Sequence, residues 1–202
     1  IMVDMQKIKV PSYAFVNQKA LSAGALVAAG TDAIYMHPVS TIGAAAIVSG
    51  NGAEIPDIMR AKIESAFNAF VRAVSKSKGR NPDVIRAMMI TDEYYDFGEI
   101  QVEEGELLSL TADEAVMEFQ GKPLLAKGIV ESIDDLLESL DSRRSPWGIV
   151  TNKPARFTIP LLKALGLASR AAVVVSGDTL SVAKPDPAQL LHACTVMNVS
   201  AS

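Results

Sequence analysis

Two residues in the first third of the chain have the types and the setting of a hydrolytic pair. Ser22 lies where a predicted strand gives way to a helix, so its hydroxyl is expected in the first helical turn. There the partial positive charge of the helix end favours an alkoxide-like oxygen. A serine is a poor nucleophile until a base takes its proton, and a lysine can do so only where desolvation lowers its pKa.

Lys62 is the lysine best placed to be that base. It lies in a helix predicted from about Pro56 to Lys78, beside a stripe of large apolar residues. It also heads a seam of small residues at helical spacing, which would let another backbone approach and confine the ammonium group. The seam comprises Ala66, Ala69 and Ala73. From spacing alone, a helix-capping serine and a surface lysine remain the alternative.

A histidine near Ser22 offers a competing Ser–His arrangement. His37 follows an apolar strand and precedes Pro38, and no carboxylate motif nearby would orient its ring. We therefore interpret His37 as structural and Asp32 as a loop or cap residue.

The elements around these residues predict an α/β fold. A strand over Ser12–Asn17, a helix stopped by Gly30 and a strand over Ala33–Met36 indicate a parallel layer. The last third of the chain repeats this rhythm, with strands at Gly148–Val150 and Ala171–Val175.

Composition excludes several classes of function. The 202 residues include one cysteine, so an internal disulfide and a multi-cysteine metal site are excluded. The net charge is −4 and the acidic residues concentrate between Asp92 and Asp141, which argues against nucleic-acid binding. No apolar run reaches the roughly 20 residues of a membrane helix. The chain opens on Ile1 without a leader, so we expect an internal fragment and leave its compartment open.

Five segments in order resemble the Clp-fold serine peptidases of the SppA and NfeD type. They are Lys19–Ala25, Tyr35–Ala45, Lys62–Pro82, Leu107–Ala115 and Ala126–Val130. The resemblance implies a Clp/crotonase-like parallel sheet with helices, a Ser22–Lys62 dyad, a peptide or membrane-protein substrate, and homo-oligomers. In this family some oxyanion donors come from a glycine-rich loop ahead of the nucleophile strand, and because ten residues precede Pro11 we expect this chain to lack that loop. Val39 also stands where relatives tend to have glycine.

The end of the chain resembles a different family, the phosphoglycolate-phosphatase-like haloacid dehalogenases. Trp147–Pro154 and Ala183–Pro187 carry the resemblance. It implies a partial Rossmann-like segment in which Thr151, Asn152 and Lys184 bind phosphate. The family's Asp-x-Asp nucleophile motif does not occur in the chain, so no phospho-enzyme can form.

These patterns predict an N-terminally truncated peptidase-type domain at 1–141, a linker at 142–146 and a partial phosphatase segment at 147–202. The leading function is peptide cleavage by Ser22 and Lys62, with no cofactor and no metal site. One alternative is a Mg²⁺-dependent phosphatase, and another is a catalytically silent fragment. The parent protein is expected to be membrane-associated.

Overall fold

A computed structural model describes residues 11–46, 56–184 and 186–199. Within them the chain forms two compact units, residues 11–133 and residues 134–199, here called the N-terminal and C-terminal units. Both combine helices with parallel strands, which confirms the α/β class. None of the helices in the described ranges is long and apolar enough to cross a membrane.

The N-terminal unit contains two three-stranded sheets. In the first, β3 lies between β1 and β10, and all three strands are parallel. In the second, β4 pairs in parallel with β2 and antiparallel with β7. The strands are β1 Tyr13–Val16, β2 Lys19–Leu21, β3 Ala33–Met36, β4 Thr41–Gly43, β7 Ser109–Thr111 and β10 Gly128–Ile129. Two short hairpins complete the strands, formed by β5 Tyr95–Asp96 with β6 Gln101–Val102 and by β8 Glu118–Phe119 with β9 Lys122–Pro123.

Four helices accompany these sheets, namely α1 Ala23–Ala29, α2 Asp57–Ser77, α3 Pro82–Ala87 and α4 Ala112–Val116. Local sequence explains where two of them begin. The side chain of Asn81 accepts a hydrogen bond from the N–H of Asp83 at the start of α3. Thr111 and Glu114 form a capping box at the start of α4, as their spacing predicts.

The core of this unit comes from the apolar positions of the two sheets. Ile34 and Met36 of β3, Ile42 of β4 and Leu110 of β7 are fully buried. They pack with one face of α1 and with α3. Burying each such side chain stabilises the fold by roughly 1.5–3 kcal/mol. This core lies beside the paired ends of β2 and β4, and α1 begins directly after the end of β2.

The C-terminal unit has one parallel pair of strands, β11 Gly148–Val150 and β12 Val173–Val175. Its helices are α5 Ile133–Ser142, α6 Ala155–Ala164 and α7 Ala188–Val196, the first of which starts at the last residue of the N-terminal unit. Arg170 joins α5 to the rest of this unit through ion pairs of 2.9 Å with Asp134 and with Asp141. The linker at 142–146 follows α5 and stays a prediction.

Candidate functional site

Ser22 occupies a sharp turn between β2 and α1. Its backbone has φ 55° and ψ −127°, a conformation that residues other than glycine rarely adopt. Strain of this kind persists only where the surrounding structure imposes it, and it is concentrated at functional sites. A strained strand-to-helix turn that exposes a serine hydroxyl is also the arrangement of a nucleophile elbow. The side chain of Ser22 is exposed.

The end of β4 holds this turn in place. The N–H of Ser22 donates to the carbonyl oxygens of Gly43 and Ala44, each at 3.2 Å. Gly43 has φ 150° and lies against β7, where a Cβ would overlap the Leu108 carbonyl and lie 2.6 Å from Ser109 Cα. Only glycine fits this position. The strained serine therefore depends on a glycine 21 residues further along the chain.

The first turn of α1 leaves two amide donors next to Ser22. The N–H groups of Ala23 and Gly24 have no acceptor within the described residues, as is usual for the first turn of a helix. With only seven residues, α1 has a short dipole, so these two donors matter more than the helix as a whole. They can stabilise an oxyanion that forms on a carbonyl attacked by Ser22.

Lys62 is exposed on α2, and no hydrogen bond joins it to Ser22 within the described part of the chain. The seam beside it is exposed too, since Ala66, Ala69 and Ala73 are not covered by the described residues. The buried face of α2 instead contains Val71, Val74 and Ser75. The structure thus places Lys62 on an open helix face and leaves the dyad a prediction.

An ion pair fastens the far end of α2 near the far end of α1. Lys78, just after α2, places its Nζ 2.7 Å from Oδ1 of Asp32, in the turn before β3. Asp32 Oδ2 accepts hydrogen bonds of 2.7 Å from the N–H and the hydroxyl of Ser12. The ion pair therefore joins the end of α2 to the turn that follows α1. Burial raises the pKa of Asp32, but the hydrogen bonds from Lys78 and Ser12 outweigh it and lower the pKa to about 2.

Replacing Asp32 by Asn should make the free energy of unfolding depend less on pH between pH 2 and 4. The unfolded pKa is about 3.9 and the folded pKa is lower, so Asp32 stabilises the fold above pH 4 and this contribution disappears as the pH falls through 2. Because the carboxylate is 41% exposed, the contribution should not exceed about 1 kcal/mol. Urea unfolding of both proteins from pH 2 to 7 measures it. If the free energies of unfolding of the two proteins differ by the same amount at every pH, the pKa of Asp32 is not lowered by folding.

His37 lies in the turn after β3 and is half-buried. Its Nδ1 accepts a 3.4 Å hydrogen bond from the N–H of Val39, and its carbonyl accepts one from Ser40. These local bonds orient the imidazole toward its own turn. Val39 itself is 79% exposed, so this position in the turn admits a side chain.

In the C-terminal unit the three residues expected to bind phosphate come together. Thr151 directly follows β11, and its Oγ1 accepts a 3.1 Å hydrogen bond from the N–H of Lys153. Asn152 bonds both the N–H and the carbonyl of Lys184, at 2.9 and 3.0 Å. The Nζ of Lys184 donates to the carbonyl of Val150 at 3.0 Å. A hydroxyl, an amide and an ammonium group thus meet at the carboxyl end of β11.

Neighbouring carboxylates in this unit act as helix caps. Asp178 Oδ1 accepts a 2.9 Å hydrogen bond from the N–H of Ala155 at the start of α6. Asp186 does the same for Ala188 at the start of α7, at 2.8 Å. The described residues contain no group of three or more His, Cys, Asp or Glu side chains that could hold a metal ion.

The model of the NfeD1b N-terminal domain family matches residues 1–146, most of the chain. The chain belongs to this family. The NfeD1b-type region includes Ser22, Lys62 and every element of the N-terminal unit. A second model, of haloacid dehalogenase-like hydrolases, matches residues 126–202 and so overlaps the NfeD1b match over 126–146. Both resemblances recognised in the sequence are confirmed.

The relatives found by sequence comparison are of the same two kinds, an NfeD1b protein and phosphatases. Membrane protein NfeD1b of Bacillus subtilis is 38% identical over 54% of the chain and 23% of its own length. Phosphoglycolate phosphatase of Psychrobacter arcticus is 37% identical over 51% of the chain and 46% of its own length. N-acetylmuramic acid 6-phosphate phosphatase of Pseudomonas putida is 39% identical over 35% of the chain and 32% of its own length. The chain thus spans less than half the length of each.

Among solved structures, a mutant of the 1510-N membrane-bound stomatin-specific protease in complex with a substrate peptide has a TM-score of 0.49. It is 26% identical, and the match covers 68% of this chain and 55% of that one.

Sequence reasoning missed two features of the site. One is the left-handed backbone of Ser22, which no local residue type signals. The other is the close approach of β7 to Gly43, for which the glycine in an otherwise β-branched strand was the available signal.

Proposed function

We propose that the N-terminal unit is a serine peptidase-type domain that cleaves peptides or membrane-protein segments with Ser22 as nucleophile and Lys62 as base. The observation that carries this proposal is the strained turn at Ser22, which exposes a hydroxyl beside two amide donors that have no acceptor among the described residues. Membership of the NfeD1b family supports it.

The chemistry assigns one role to each group. Ser22 Oγ attacks the peptide carbonyl carbon while its proton passes to neutral Lys62. The amides of Ala23 and Gly24 stabilise the oxyanion. Lys62 then protonates the departing amine, which leaves an acyl group on Ser22. Water, deprotonated by Lys62, releases that acyl group as a carboxylic acid and regenerates the serine.

To act as a base, Lys62 must also be shielded from water. We propose that a second copy of the chain covers it. The same helix exposes Ile58, Met59 and Phe67 at 76, 54 and 39%. Apolar side chains on an open helix face next to small alanines suit close helix packing. A homo-oligomer through α2 would bury both these side chains and the ammonium group of Lys62.

Replacing Lys62 should reduce peptide hydrolysis by roughly 10²–10⁴-fold at neutral pH, because a general base contributes that much. Lys62→Arg is the sharper variant, since it keeps the charge but a guanidinium stays protonated. Lys76→Arg, also exposed on α2, is the matched control and should leave the rate unchanged. Full activity in Lys62→Arg would exclude Lys62 as the base.

Sedimentation of the unsubstituted chain and of Phe67→Glu tests the proposed homo-oligomer separately.

The family relative named as a membrane protein supports a membrane-associated parent, which we propose as the context of this chain. Segments of membrane proteins would then be available as substrates.

The C-terminal unit supports a second candidate, binding of a phosphate group. The convergence of Thr151, Asn152 and Lys184 at the end of β11 favours it. A hydroxyl and an ammonium group suit a phosphate oxyanion. Under this alternative Mg²⁺ would be the cofactor, as the resemblance to the haloacid dehalogenases implies. Hydrolysis would still need a nucleophilic carboxylate, and Asp178 and Asp186 already cap helices.

We expect phosphoglycolate to bind to this chain without being hydrolysed. Calorimetry should detect binding that Lys184→Ala weakens about tenfold, since it removes a charge-assisted bond. Lys163→Ala, an exposed lysine on α6, serves as the control. Phosphate release in the presence of Mg²⁺, above that of the Thr151→Ala variant, would show that a carboxylate acts as nucleophile and would favour the phosphatase function.

A further inference from the structure

A cavity of about 310 Å³ opens between the turn that joins α2 to α3 and the β8–β9 hairpin. Residues 79–82 line it from the turn, and Phe119, Gln120, Lys122, Pro123 and Leu124 line it from the hairpin. Its two charged lining residues, Arg80 and Lys122, are both cationic, and no carboxylate is among the lining residues. The volume is at the lower end of small-molecule pockets, about 300 Å³.

Arg80 bonds to the other described residues through only one of its nitrogens. Nη1 donates to the carbonyl oxygens of Ala29, the last residue of α1, and of Thr31, at 2.9 and 2.5 Å. Nε and Nη2 have no acceptor among the described residues. These two nitrogens form the side of the guanidinium that can bind a carboxylate with two parallel hydrogen bonds.

The charge of Arg80 is also incompletely balanced. Burial lowers the pKa of Arg80, and Asp32 acts in the opposite direction. The carboxylate of Asp32 is, however, already bonded to Lys78 and Ser12. Nε and Nη2 are open to solvent, since neither is a buried atom without a partner, so an anion that enters the cavity can bond to them in place of water.

We propose that this cavity is a binding site for the carboxylate of a short peptide, which the Nε and Nη2 groups of Arg80 bind in parallel and Lys122 attracts from the hairpin. The planar fork of Arg80 suits a planar carboxylate, and the volume suits one or two residues. The carboxylate comes either from a peptide C-terminus or from an Asp or Glu side chain. The site does not depend on the proposed peptidase activity, because binding is measured without turnover.

The test is a titration of the ¹⁵N-labelled chain of 202 residues, followed by the Nε–H signal of Arg80. One probe is N-acetyl-diglycine, which carries a terminal carboxylate, and the other is N-acetyl-aspartate methylamide, which carries only a side-chain carboxylate. Their uncharged amide analogues are the ligand controls. We expect a saturable shift with at least one carboxylate and none with the amides, and the tighter probe identifies the source.

Two variants make the test specific. Arg80→Lys keeps the charge but removes the fork and should abolish saturable binding, followed in this variant by the backbone N–H signals of Gly79 and Lys122 because the Nε–H signal is lost. Since Arg80 also bonds α1, Lys122→Gln provides an exposed second variant that should weaken binding roughly two- to fivefold. Lys127→Gln, exposed and outside the cavity, should not. The proposal is overturned by no saturable shift, by equal binding of the amides, by tighter binding of inorganic phosphate, or by unchanged affinity in Lys122→Gln.

Discussion

Replacing Ser22 by alanine is expected to reduce hydrolysis of a fluorogenic peptide mixture by a factor on the order of 10³ or more. The reason is that the covalent step needs the hydroxyl, whereas the amides of Ala23 and Gly24 leave only residual catalysis. Thermal unfolding should change little, because the side chain is exposed and makes no capping hydrogen bond.

The matched control for this variant is Ser65→Ala, which removes another exposed hydroxyl from the same unit. It should hydrolyse the peptides at the unsubstituted rate. If Ser22→Ala also hydrolyses the peptides at the unsubstituted rate, the serine of the strained turn is not the nucleophile.

Gly43→Ala is expected to cost about 3 kcal/mol or more in the free energy of unfolding. The added Cβ meets the backbone of Leu108 and Ser109, which cannot rotate away as a side chain could. Relief requires that β4 and β7 move apart, and β4 supplies the carbonyl that accepts the N–H of Ser22. Hydrolysis should therefore fall together with stability, although residue 43 carries no reacting group.

The loss of stability in Gly43→Ala has two possible causes, the left-handed backbone and the close approach of β7, and Gly121→Ala separates them. Gly121 has φ 78° but nothing within 4 Å of the position of its Cβ, so only the left-handed backbone is penalised there, by about 1–2 kcal/mol. Urea unfolding of both variants gives the comparison. A Gly43→Ala loss no larger than that of Gly121→Ala would mean that the approach of β7 does not constrain the turn.

Much of the fold could be predicted from local patterns. The strand at Ala33–Met36 has the bounds that composition predicts, and α2 differs from its predicted bounds by one residue at each end. Both are specified by short-range signals, an apolar run before Pro38 and a proline start with a glycine after the end. The short alternating pattern from Tyr94 to Leu110 predicts a single β ribbon, but the segment is divided, because β7 pairs with β4 and not with its neighbours in sequence.

The site was less predictable, because its geometry depends on long-range contacts. The turn at Ser22 is held by carbonyls of Gly43 and Ala44, and the end of α2 is joined to the turn before β3 by the pairing of Lys78 with Asp32. Neither leaves a periodic signal in the sequence. The residues proposed to bind phosphate have a clearer local signal, since Thr151 follows a strand and Lys184 precedes a proline-rich helix start. Such positions recur wherever parallel strands end at a ligand.

The most direct test of the account is to locate the adduct formed by a fluorophosphonate probe, by digestion and mass spectrometry of the labelled chain. The account predicts one modified residue, Ser22, with labelling slowed in Lys62→Arg and unaffected in Lys76→Arg. Modification of any other serine, or labelling that persists unchanged in Ser22→Ala, would contradict the assignment of Ser22 as the nucleophile.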